Sequence, residues 1–328
     1  MYFLTDPLVQ LALEHFDQIV NPGIEEGDWY FETFGPGNAL HASDRPFERF
    51  HDYEDLLKLL QNRNNTKYEH IHKGTPFFFL AWLAFDLRNY EKTLYYLDAS
   101  ISEDVRNRGD QWINYPGAGF LKLSTAPHVA GRVIEKIRSL LAAQIDRFNS
   151  ISALPPINID IFIDKFVNHL IQDPSTRTII SALYIYLLEA DERMIELRIK
   201  STQGTSLGPV IAHLFGGGLI FESLLKYLYP INDNGDPIKT LGRVFQTTAF
   251  RSDFGTGIQT SSDSLQYIVD AIQDDTYVTA FSTASRLRNT TGHNLIWDNI
   301  FQSTSNYELL LNKSLDSLLY LIEKKFIR

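Results

Sequence analysis

Apolar residues recur along this chain at a period close to 3.6 and almost nowhere at a period of two. Its hydrophobic surface is therefore expected to be buried by helices packing on helices. Residues 7 to 19 set the pattern, with Leu8, Leu11, Leu13, His15 and Phe16 on a rough stripe that Asn21-Pro22-Gly23 terminates. The same reading predicts helices over about 46–62, 128–149, 158–172, 175–200, 209–229, 264–288 and 306–326. Asp173-Pro174-Ser175 supplies a cap and a first-turn proline ahead of the 175–200 helix. The expected fold class is all-α.

At roughly 150 residues per domain, 328 residues suggest two domains. Pro155-Pro156 breaks helix, and STQGTSLG (201–208) offers a second boundary. The expected organisation is an N-terminal helical region (1–155), connecting helices (156–205) and a C-terminal helical domain (206–328). The absence of cysteine excludes a disulfide scaffold, a thiol nucleophile and thiolate metal sites. A net charge of −10 argues against coating nucleic acid through a broad basic face. That acidity is uneven: 20 basic face 28 acidic residues before position 206, against 10 and 12 after it. The longest apolar run, TPFFFLAWLAF (75–85), is closed by Asp86 and Arg88, and the N-terminus carries no basic leader. The expectation is a cytoplasmic protein that does not enter a membrane.

Within the N-terminal region, residues 75–104 read as a helix pair closed at Arg88-Asn89-Tyr90. Small residues (Ala81, Ala84, Ala99) alternate there with aromatics at helical spacing. The pair is similar to one tetratricopeptide unit, and no second copy follows at a period of about 34 residues. Such helices imply a protein partner. QNRNNTK (61–67) reads as a polar helix end and YPGAGF (115–120) as a Gly/Pro loop. Residues 22–46 read as a long loop anchored by Trp29, Tyr30, Phe31 and Phe34. The neighbouring Glu25, Glu26, Asp28 and Glu32 would repel phosphates, which favours packing or a protein contact over base stacking.

One motif carries chemistry: Arg288-Asn289-Thr290-Thr291-Gly292-His293, of the form R-N-x-x-x-H. Cleaving RNA with its own 2′-hydroxyl requires removing that proton, protonating the departing 5′-oxygen and stabilising charge on phosphorus. Imidazole, with an unperturbed pKa of about 6.5, suits the proton work. A guanidinium suits the phosphate oxygens. Asn289 and His293 share a helical face, whereas Arg288 lies about 140° from His293, so one continuous helix does not assemble the site.

On this motif, and on the long apolar helix GGGLIFESLLKYLYP (216–230), residues 206–328 resemble the HEPN superfamily. These are four-helix domains whose ribonuclease members carry R-N-x-x-x-H near the start of a late helix. The resemblance implies a homodimeric, metal-independent endoribonuclease that needs no cofactor and acts on an RNA substrate, leaving a 2′,3′-cyclic phosphate. His293 would be the general acid/base, Arg288 the phosphate clamp and Asn289 an orienting group. A toxin or defence role is the family analogy. Glu222, Lys226 and Arg286 are further candidates to line the cleft; otherwise Glu222 and Lys226 form a modest surface pair. The alternative to catalysis is a helical scaffold in which the motif is vestigial. Thr290 or Thr291 would then cap a helix start, Arg288 would be a surface charge and His293 would rest on Trp297.

The other candidates have simpler readings. His70 and His72 lack a third ligand at a familiar spacing. Asp233-Asn234-Gly235-Asp236 reads as a turn. Gly216-Gly217-Gly218 follows no strand and reads as close helix packing rather than a phosphate cradle.

Overall fold

The structure, a computed structural model, describes residues 7–19, 45–126, 131–199, 207–292 and 304–328. It is all-α, with no strand among the described residues and a lone bridge between Ile231 and Pro237. The chain divides into two compact units, Met1–Glu135 and Lys136–Arg328. The Pro155-Pro156 break and the 201–208 stretch both fall inside the second unit.

The first unit contains α1 (Pro7–Gln18), α2 (Pro46–Arg63), α3 (Asn65–His70), α4 (Gly74–Asp86), α5 (Tyr90–Arg108) and α6 (Pro116–Leu121). The buried stripe of α1 is Val9, Ala12 and Phe16, and Ile19 beyond it is also buried. Leu11, expected on that stripe, faces solvent. The polar run after α2 does not simply end a helix. The Asn64 side chain accepts from Lys67 N at 2.9 Å and starts α3.

The stretch expected as a Gly/Pro loop is likewise helical. A 3₁₀ segment (Gly109–Asn114) leads into α6, where Pro116 occupies the first turn and needs no hydrogen-bond partner there. Helices α4 and α5 form the expected hairpin. Its turn puts Arg88 at φ +57°, Asn89 N donates to Ala84 O at 2.9 Å, and the Asn89 side chain caps α5. His72, for which no third ligand was expected, takes a structural place. It is buried, with Nε2 2.9 Å from Asp104 Oδ1, beside Lys73, whose ammonium donates to the Tyr68 and Ile71 carbonyls.

The second unit begins within α7 (Arg132–Ile151). Helix α8 (Ile159–Phe162) then runs through a π turn (Ile163–Val167) into α9 (Asn168–Leu170). The core is four long helices: α10 (Pro174–Ile199), α11 (Gly208–Leu228), α15 (Tyr277–Thr291) and α16 (Thr304–Ile322). Helix α11 packs on the other three, α16 also packs on α10 and α15, and α10 comes from the stretch expected to connect domains. Short helices α12 (Leu241–Val244), α13 (Thr248–Phe254) and α14 (Leu265–Asp270) lie between α11 and α15.

The expected continuous helix over 264–288 is two helices. Asp274 accepts from Thr276 N, Thr276 Oγ1 and Thr279 Oγ1, and Thr276 caps α15, so local caps outcompete the periodic pattern. By length and composition α11 could cross a membrane, but most of it is buried inside the protein. Val210, Ile211, Leu214, Ile220, Phe221, Leu224 and Leu225 form its core face.

Candidate functional site

The site is built where α11 and α15 touch. Ala280, Ser282, Thr283, Ala284 and Ser285 on α15 are small and all buried. Opposite Ala284 lies Gly218. A β-carbon there would sit 2.7 Å from Arg288 Cβ and 3.0 Å from the Ala284 carbonyl oxygen, so only glycine admits this approach. Gly217 meets the Tyr186 hydroxyl in the same way, and Phe215 lies against Gly292. Gly217 and Gly218 are packing residues, as their sequence context implied, whereas a β-carbon at Gly216 would meet only a Tyr186 ring carbon at 4.0 Å. Gly218 does more, because it lets Arg288 lie across α11.

One turn beyond Gly218 is Glu222, 3% exposed although charged. Its Oε2 accepts from Arg288 Nε at 2.5 Å and its Oε1 lies 2.6 Å from Lys226 Nζ. A carboxylate removed from water needs such partners. Glu222 and Lys226 are therefore no ordinary surface pair, and Arg288 is not a free surface charge. Lys226 also donates to the Lys239 carbonyl at 3.0 Å. Arg288 Nη1 donates to Asn289 Oδ1 at 3.3 Å, and Asn289 Nδ2 donates to the Thr260 carbonyl at 2.6 Å. The Arg288 side chain remains 32% exposed, and its Nη2 has no partner among the described residues.

Arg286 is not brought to this group. Two residues from Arg288, it points to another face of α15. There it is buried, pairs with Asp263 (3.3 Å) and lies over the Tyr267 ring at 5.2 Å. On that face Ser282, Asn289 and Thr290 also hold the 259–263 segment by its backbone. Thr290 accepts from Asp263 N and donates to Asp263 O. Thr291 donates to the Leu287 carbonyl. Both threonines thus close the end of α15 rather than capping a helix start. Arg288 and Asn289 sit in its last turn, before Gly292. His293 and Trp297 lie outside the described residues, as does the aromatic group Trp29, Tyr30, Phe31 and Phe34.

Compared with family models, curated proteins and solved structures, the chain matches none.

Other polar groups resolve into structural roles. His213 of α11 is buried against the Tyr186 ring (centroids 4.2 Å apart). Its Nε2 donates to the Tyr186 carbonyl at 2.8 Å and its Nδ1 accepts from the Tyr307 hydroxyl at 2.9 Å. Burial pushes its pKa down to about 4, so the ring is neutral at pH 7. The Asp233–Asp236 stretch is a turn: the Asn232 side chain accepts from Asn234 N and Asp236 N, and Gly235 takes φ +87°. No three His, Asp or Glu side chains converge as a metal site among the described residues.

Sequence reasoning named Glu222 and Lys226 only as possible lining. The signal that singles out Glu222 is an acid set on the apolar stripe of a helix, between Phe221 and Leu224.

Proposed function

We propose that the chain is a metal-independent endoribonuclease of HEPN type, in which Arg288 binds the scissile phosphate and His293 moves protons. The observation that supports this most is the state of Arg288. It is fixed through Nε by a buried carboxylate and steadied by Asn289, while terminal guanidinium donors stay unspent at the protein surface. In the proposed reaction the substrate 2′-oxygen bonds to phosphorus as its proton passes to a neutral imidazole. The bond from phosphorus to the 5′-oxygen breaks, and that oxygen receives a proton. The products carry a 2′,3′-cyclic phosphate and a 5′-hydroxyl, with no metal or cofactor taking part.

Two copies of the chain supply two imidazoles, one as base and one as acid. Leu219 (44% exposed) and Tyr227 (40%) on the outer side of α11 offer apolar surface for that pairing, beside Glu222 and Lys226. The experiment is incubation with structured and single-stranded RNA in EDTA, beside His293→Ala and Arg288→Ala. Cleavage by the wild type to cyclic-phosphate ends, with a loss of at least a hundredfold in both variants, is expected. Equal cleavage by all three proteins, or none by any, refutes the reading and leaves a helical scaffold.

A further inference from the structure

We infer that Glu222 is a positioning residue that holds Arg288 and Lys226 as a two-cation seat for one phosphate of the substrate; this rests on the ribonuclease reading. The two cations occupy different oxygens of one carboxylate, Arg288 Nε on Oε2 at 2.5 Å and Lys226 Nζ on Oε1 at 2.6 Å. Their charged groups are thereby held side by side with one negative charge between them, leaving a local net charge of +1. Each keeps unspent donors. Lys226 is ion-paired with Glu222 and donates one hydrogen to the Lys239 carbonyl, so part of its ammonium stays unspent. Arg288 gives Nε to Glu222 and one Nη1 hydrogen to Asn289, which leaves Nη2 available. Both side chains are about one-third exposed, whereas Glu222 is buried.

Packing alone does not account for this arrangement. A buried acid on an apolar stripe is costly relative to an aliphatic residue, and a purely structural ion pair needs one cation, not two with donors left over. Fixing a guanidinium through Nε also sets the plane in which its remaining N–H groups present themselves. That is the requirement for two-point binding of a phosphate.

Removing the charge of Glu222 separates orientation from attraction. Glu222→Gln leaves two cations uncompensated, so attraction for a polyanion does not weaken, while Arg288 loses the anchor that sets its plane. The expected result on RNA in EDTA is a kcat at least tenfold lower with KM unchanged or reduced. Lys226→Ala is expected to raise KM severalfold with a smaller loss in kcat. Values are taken per folded molecule, from far-UV circular dichroism and thermal melts. If Glu222→Gln does not fold, Glu222→Asp replaces it, keeping the charge but shortening the reach, with the same expected loss of kcat.

A wild-type kcat in the Glu222 variant, or a rise in KM alone, overturns the positioning role while leaving the nuclease reading intact. If the wild type cleaves no RNA, the nuclease reading falls, and inorganic phosphate decides the seat separately. A saturable shift of the Arg288 Nε–H resonance, lost in Lys226→Ala, sustains the two-cation seat. No shift, or one that survives Lys226→Ala, overturns it.

Discussion

His213 makes the second unit's stability dependent on pH, with a sign fixed by its surroundings. In the folded chain its ring donates to the Tyr186 carbonyl, accepts from the Tyr307 hydroxyl and stacks on the Tyr186 ring, and burial holds its pKa near 4. In the unfolded chain the same ring titrates near 6.5. Above pH 6.5 both states are neutral, so the group adds no pH dependence. As pH falls below 6.5 the unfolded state gains a proton that the folded state refuses, and stability drops until the folded pKa is passed. The gap between the two states corresponds to about 3 kcal/mol in full, most of which is lost between pH 7.5 and 4.5. His213→Gln keeps a donor and an acceptor but has nothing to titrate. Urea unfolding at 25 °C from pH 7.5 to 4.5, wild type against variant, cancels the carboxylates common to both. The wild type is expected to lose about 2–3 kcal/mol more than His213→Gln across that range. Parallel profiles, or a wild type that gains relative stability on acidification, would refute a buried neutral ring.

Three further outcomes follow from backbone geometry. Gly218→Ala puts a β-carbon against Arg288 and the Ala284 carbonyl and is expected to destabilise by about 1–3 kcal/mol in urea unfolding. Gly216→Ala meets only a Tyr186 ring carbon at 4.0 Å and is expected to stabilise by about 0.5–1 kcal/mol, so equal effects at the two positions contradict the close approach at Gly218. Arg88→Gly relieves an exposed side chain at φ +57° in the hairpin turn and is expected to raise stability by about 0.5–1 kcal/mol, read as an upward shift in Tm.

The helices were legible where their apolar period was backed by strong punctuation. Pro46, Pro174 and Pro209 open α2, α10 and α11 near the expected positions, and the hairpin at Arg88-Asn89 falls where the pattern breaks. Side-chain capping was harder to read. The same Asn, Asp and Thr that look like loop residues start α3 at Asn64 and split the 264–288 run at Asp274–Thr276. Pro116 misled for a related reason, since a proline that ends one helix is an acceptable first residue of the next. At the site, the local pattern exposed Arg288 and Asn289. The partnership with Glu222 lies 66 residues away in sequence and depends on helix contact at a single glycine, which periodicity does not encode. Arg286 looked able to line the same cleft because it is basic and close to Arg288 in sequence. Two steps around a helix send them to different faces.

The shared carboxylate also constrains how this sequence can drift. Glu222 pairs with two cations from beneath, so losing it strands two positive charges, and losing either cation leaves the acid with one partner. Breaking a buried ion pair one residue at a time costs about 3–5 kcal/mol, whereas replacing the whole group by apolar residues is close to neutral. Descendants of this chain are therefore expected to keep the acid and Arg288 together or to shed them together. The single-loss intermediate is a valley that few lineages cross.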